Sequence, residues 1–90
     1  MTDPPAKEII DFPHFMALKA IGVDEGDFIR FVVEAVRTYV PNLQEAGVTF
    51  RPSSGGKYIA VSVPFWAESR AQLDAIYGAI SQDARVKVVL

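Results

Sequence analysis

Among its 90 residues the chain has no cysteine, one histidine and one tryptophan. The missing thiols exclude a disulfide framework, a cysteine nucleophile and a thiolate metal site, and a lone His14 excludes a multi-histidine cage. Charge of one sign is also scarce: nine Lys and Arg against eleven Asp and Glu leave a formal charge of -2. Such a chain has no general attraction to phosphate backbones or anionic lipid. No apolar run approaches the ~18 residues of a membrane-spanning helix. The start, Met1-Thr2-Asp3-Pro4-Pro5, lacks the basic-then-apolar pattern of a secretory leader. A cytoplasmic protein with no membrane partner is the expectation. Internal repeats, low-complexity tracts and linkers are absent as well.

What is present is globular composition, with 50% hydrophobic and 22% charged residues. A chain of this length buries only about 60 to 65% of its unfolded surface, so it holds one compact core. Residues 1–11, with Pro4-Pro5 and mixed charge, read as a flexible tail, and residues 12–90 as the folded domain.

The clearest element follows Gly55-Gly56. Ile59, Val61, Val63 and Phe65 fall on one face and Tyr58, Ala60 and Ser62 on the other, the period-2 pattern of a half-buried strand. Pro64 conflicts with a central strand because it has no N–H to donate, so a bulge or an early end near Val63 is expected. His14 to Gly22 alternates Met16, Leu18 and Ala20 with Phe15, Ala17, Lys19 and Ile21. Both sets are rather apolar, which predicts a central strand. Asp24 is a candidate N-cap for a helix whose apolar stripe is Phe28, Val32, Ala35, Val36 and Tyr39, with Pro41-Asn42 as its stop. Val48 to Arg51 reads as a short strand leading into the Ser53-Ser54-Gly55-Gly56 turn. Ser69-Arg70-Ala71-Gln72 fits a capping box in which Gln72 reaches back to the Ser69 amide. Leu73, Ile76, Tyr77 and Ile80 then form a second helical stripe. Val86, Val88 and Leu90 alternate with Lys87 and Val89 in a last strand.

This order, βαββαβ, predicts an α+β ferredoxin-like two-layer sandwich. It has a four-stranded antiparallel sheet, both helices on one face, and the first and third strands central.

Several stretches carry a family resemblance. They are Phe12-Pro13, Lys19-Ala20-Ile21-Gly22, Pro52-Ser53-Ser54 with Gly56-Lys57-Tyr58, the run Ser69 to Tyr77, and the terminal Val86-Lys87-Val88-Val89-Leu90. Together they resemble the YbeD-like (UPF0250-type) family of small bacterial proteins of unknown function, over nearly the whole of 12–90. The resemblance implies a fold similar to the ACT regulatory domains of amino-acid-metabolising enzymes such as phosphoglycerate dehydrogenase. It also implies genes that often neighbour lipoate-attachment genes, and no established reaction. Pro64 and the Ser53 to Gly56 turn depart from the family pattern.

Two regions are candidates for function. Ser53, Ser54, Gly55, Gly56 and Lys57 offer loop amides, hydroxyls and a cation around which an anion could sit. The GxxxxGK[ST] spacing is missing and a strand follows, so a plain hairpin turn is the better reading. The second region is the outer sheet face, expected to show Ala17, Lys19, Ile21, Thr49, Arg51, Tyr58, Ala60, Ser62, Lys87 and Val89. Its small apolar residues suit close approach by another chain, and Lys19, Arg51 and Lys87 could receive an acidic group. Ala17, Ala60 and Ser62 stand where an RNA-binding sheet carries stacking aromatics, which disfavours nucleic acid. Asp24, Glu25 and Asp27 read as negative charge at a helix start rather than as a metal loop. His14 carries no assigned role, and Trp66 is either a partner surface or a cover for the core rim. The expected function is therefore a non-catalytic, ACT-like regulatory or adaptor domain working by protein contact, with no metal or cofactor. A homodimer and small-metabolite sensing are further expectations. The alternative is a small enzyme built on the Ser53–Lys57 loop and a carboxylate.

Overall fold

The computed structural model describes residues 11–90; the expected tail lies outside them apart from Asp11. The elements run β1 (His14–Val23), α1 (Phe28–Tyr39), a short 3-10 helix (Glu45–Gly47), β2 (Thr49–Pro52), β3 (Tyr58–Ala67), α2 (Arg70–Ser81) and β4 (Val86–Val89). The sheet order is β2-β3-β1-β4, so the first and third strands are central as predicted. Every neighbouring pair is antiparallel. Among the described residues no helix is long and apolar enough to cross a membrane.

The period-2 pattern sends Leu18 and Ala20 of β1, and Ile59, Val61, Val63, Phe65 and Ala67 of β3, inward. There they meet the helical stripes: Phe28, Val32 and Val36 of α1, and Leu73, Ile76 and Ile80 of α2. Burial of these apolar side chains drives the fold, each contributing roughly 1.5 to 3 kcal/mol on full burial. The helix stripe of α1 is rotated from the expected one: Val33 is buried and Tyr39 exposed.

Four local expectations are corrected. β3 runs through Pro64 to Ala67 without a bulge and pairs with β1 residue for residue. The conflict dissolves because β2 pairs only with residues 59 to 62. At Pro64 the strand is therefore an edge on that side, where a missing N–H leaves no ladder bond unmade. Gly47 packs there instead; a Cβ on it would lie 2.8 Å from Pro64 Cγ.

β1 continues past Gly22 to Val23. Gly22 is needed for close approach, since a Cβ would stand 2.6 Å from both the Arg85 carbonyl oxygen and Phe28 Cζ. α1 starts at Phe28 with Asp27, not Asp24, in the cap position, and the Asp27 side chain caps nothing. In α2 the Ser69 hydroxyl accepts from the Gln72 amide at 3.1 Å as the capping box requires. Gln72 Oε1, however, accepts from the Glu68 amide rather than that of Ser69, at 2.7 Å. Its Nε2 donates to the Tyr39 carbonyl at the end of α1, 2.8 Å away, tying the two helices together.

Candidate interaction face

Cross-strand register builds the open face of the sheet row by row. One row is Arg51, Ala60, Ile21 and Val88 across β2, β3, β1 and β4. The next is Thr49, Ser62 and Lys19, closed by a pair of backbone bonds between Lys19 and Leu90. Beyond β2 the rows continue as Pro64 with Ala17 and Trp66 with Phe15. Tyr58 pairs with Val23 at the opposite end. Of the predicted face, Lys19, Ile21, Arg51, Tyr58, Ala60 and Ser62 are thus brought together.

β4 is the exception. Its register slips beside Ile21 and Gly22, so Val86 and Val89 both pack against the core and Val88 opposes Ile21 on the open side. A bulge adds one residue to one strand and breaks its alternation. Lys87 sits in that irregularity, exposed but outside the rows. Val89 is corrected to the core side.

Phe15 and Trp66 are the residues the sequence reading left off this face. Both are more than half exposed, at 54% and 57%, and their ring centroids lie 5.3 Å apart at an interplanar angle of 59°. Trp66 therefore presents more than half of its surface to solvent. The alternation in β1 already sets Phe15 on the side of Ala17, Lys19 and Ile21, whereas Trp66, four residues after Ser62, joins that side only because β3 runs on unbroken where a bulge or an early end near Val63 was expected. A cleft of about 340 Å³ runs beside the pair, lined also by Leu43, Gly47, Pro64 and Glu68. At the other end Arg51 and Ala60 are shared by two shallow depressions, one reaching Lys19 and Ser62, the other Ile21 and Tyr58. Among the described residues neither Lys19 nor Arg51 has an ion-pair partner. No strand position on the open face is acidic.

The Ser53–Lys57 loop is built as a hairpin. The Ser53 amide donates to the Tyr58 carbonyl (2.8 Å) and the Gly56 amide to the Ser53 carbonyl (3.0 Å). Gly56 has φ +76, which a side chain resists. The Ser53 hydroxyl accepts from the Tyr58 amide at 3.1 Å. The Ser53 and Gly56 amides are thus engaged within the turn. Ser54 and Lys57 are exposed, and the Lys57 ammonium lies 5.4 Å from the centre of the Tyr58 ring. Neither bonds to a carboxylate among the described residues, so the loop does not assemble the pocket a catalytic reading requires.

A second cluster, unforeseen from sequence, centres on Arg85. Its Nε and Nη2 donate to Asp83 Oδ1 and Oδ2, both at 2.9 Å. Its Nη1 donates to the Glu25 carbonyl at 3.0 Å and to Asp27 Oδ1 at 3.1 Å. The guanidinium also lies 5.5 Å from the ring centres of Phe28 and Phe31. The side-chain and then the backbone hydrogen bond from Arg85 hold the Asp83 carboxyl down at about 2. The same partners, Asp83 foremost, raise Arg85 further above its ordinary value. The guanidinium is engaged with its neighbours and joins the β1-α1 and α2-β4 loops, which makes it a structural clamp. Asp27 serves this clamp rather than a helix cap.

A four-stranded antiparallel sheet with two helices, in the order βαββαβ, defines an α+β ferredoxin-like domain with one sheet face left open. The chain belongs to the family described as "Protein of unknown function (DUF493)", whose pattern matches residues 7–90. It is 38% identical over 87 residues to a UPF0250 protein of Ralstonia nicotianae, covering 97% of this chain and 90% of that one. A UPF0250 protein of Neisseria gonorrhoeae is 40% identical over 91 residues, with both chains fully covered. The fold is similar to the solution structure of protein HP0495 from H. pylori, with a TM-score of 0.70 at 18% identity, covering 100% of this chain and 98% of that one. The YbeD-like resemblance and the predicted fold class both stand.

Proposed function

We propose that this protein is a non-catalytic regulatory or adaptor domain that acts through contact with another protein at the open sheet face. One observation carries the reading: a single face, uncovered by either helix, presents an exposed Phe15–Trp66 pair together with Lys19 and Arg51, which have no ion-pair partner among the described residues. Clustered exposed aromatics beside cations are the composition of protein-binding hot spots, and small residues such as Ala17 and Ala60 let a second backbone come close. The test is affinity capture from a bacterial lysate with the wild-type chain and an Ala60→Trp variant whose melting temperature is unchanged. The wild type should retain a partner that the variant loses. Identical capture by both would mean the contact lies elsewhere.

A second reading, small-metabolite sensing, is supported by the cleft beside Phe15 and Trp66. A ligand of the native state raises its stability by RT ln(1 + [L]/Kd), so amino acids and acidic metabolites are screened by thermal shift. A flat screen removes sensing and leaves the contact role. Self-association is a variant of the same contact reading, and light scattering at high concentration reads it directly.

A further inference from the structure

We infer that the open sheet face takes an acidic polypeptide segment bearing a bulky apolar side chain, with the apolar group at the Phe15–Trp66 end and the carboxylates at Lys19 and Arg51. The inference rests on the contact role above and specifies the chemistry of the partner.

The two ends of the face differ in kind. At one end are two exposed aromatic rings and Pro64. At the other, Lys19 and Arg51 occupy adjoining rows, each beside a hydroxyl, Ser62 or Thr49, that can share an acceptor oxygen. Lys19 stands four positions after Phe15 in β1, roughly 13 Å along the strand. That span matches about four residues of an extended segment or about nine of a helix. Lys57, whose ammonium lies over the ring of Tyr58, a residue lining one of the two depressions, adds a third cation nearby.

Charge decides between occupants. An interface cation left without a counter-charge is costly once water is expelled, so the surface that covers Lys19 and Arg51 supplies carboxylates. A second copy packed face to face is a poor source: among the described residues Glu68, beside Trp66, is the one carboxylate lining the aromatic cleft, set against two cations. Nucleic acid fits less well still. The two rings are tilted against each other at one end of the sheet, the central positions Ala17, Ala60 and Ser62 offer nothing for bases to stack on, and the net charge is -2.

The test uses the intact protein and a short fluorescein-labelled peptide of aspartate, glutamate and leucine. Beside it are run a peptide with lysine in place of every acid, oligouridylate and phosphatidylglycerol vesicles. Saturable anisotropy with the acidic peptide alone is expected, with amide shifts in NMR spectra confined to the open-face positions of β1, β2 and β3. A Lys19→Ala, Arg51→Ala double variant should weaken it roughly 10- to 100-fold. Absent or unsaturable binding, equal binding of the lysine peptide, or preference for RNA or vesicles overturns the inference. So does a dimer by light scattering that the double variant dissolves, which would make the occupant a second copy. In the lysate capture, loss of the partner with Ala60→Trp but not with the double variant refutes the acidic chemistry and leaves the contact role standing. Loss with neither refutes both.

Discussion

Arg85 lies between two loops with its guanidinium bonded to Asp83, Asp27 and the Glu25 carbonyl, whereas Arg51, on an edge strand's open face, has no ion-pair partner among the described residues. Arg37 belongs with Arg85. It pairs with Glu34 one turn away and with Glu45 of the 3-10 helix, fixing the segment that leads into β2. The same side chain thus stands in two environments according to what the fold places around it. Cations ringed by acids and carbonyls hold loops together, while Lys19 and Arg51 stay exposed without a counter-charge among the described residues. Arg85 can do the first because Phe28 and Phe31 give its planar group a surface to lie on, while its hydrogen bonds fix its orientation.

The contrast can be broken from the clamp side first. Phe28 is both the platform under Arg85 and one of the largest fully buried side chains. Phe28→Ala should cost about 3 to 5 kcal/mol in urea unfolding; a loss under about 1 kcal/mol would mean that the clamp is not seated on the core. Next in size is Gly22→Ala. Its new methyl would press on the Arg85 carbonyl, which accepts the Val23 amide, and on the Phe28 ring. Overpacking of this kind costs roughly 1 to 3 kcal/mol, and hydrogen exchange should show the Val23 amide losing protection.

Asp83 supplies a pH signature. Its folded value is depressed from 3.8 to about 2, so the carboxylate form is favoured by folding. The stability it contributes is complete above its ordinary value and is lost as pH falls through that interval toward 2. Unfolding midpoints measured across that interval should fall less steeply for Asp83→Asn than for the wild type, while at neutral pH the variant is the less stable. Equal slopes would show that the clamp's charge is not coupled to folding. The smallest expected change is on the other side of the comparison. Removing both Lys19 and Arg51 as alanines should alter stability by no more than about 0.5 kcal/mol, because exposed unpaired cations contribute little to the fold. A larger loss would place them with Arg85 as structural residues.

Much of the fold was legible because local periodicity and burial agree. The alternation at Ile59, Val61, Val63 and Phe65 and the stripe of Leu73, Ile76 and Ile80 each needed only the geometry of one element. The open face was legible where parity stayed regular, through Lys19, Ile21, Arg51, Ala60 and Ser62. It failed at Pro64, where the rule against proline in central strands is a rule about neighbours. Whether β2 reaches that far depends on where a different strand stops. It failed again at β4, where an irregular register beside Gly22 reversed the side assigned to Val89. The reach of Arg85 left no trace in the sequence: Asp83 stands two residues before it, but Glu25 and Asp27, which make it a link between loops, stand about sixty residues away.

By itself, then, the sequence determined the element order, most of the inward sets of the strands and helices, and through them the α+β sandwich with one uncovered face, because right-handed crossovers in a βαββαβ order put both helices on the same side of the sheet. The tertiary structure alone decided which charges are engaged and which stay free, and that Phe15 and Trp66 meet. Contacts between residues far apart in the chain are set by strand register and loop closure, and no local pattern records where another strand ends.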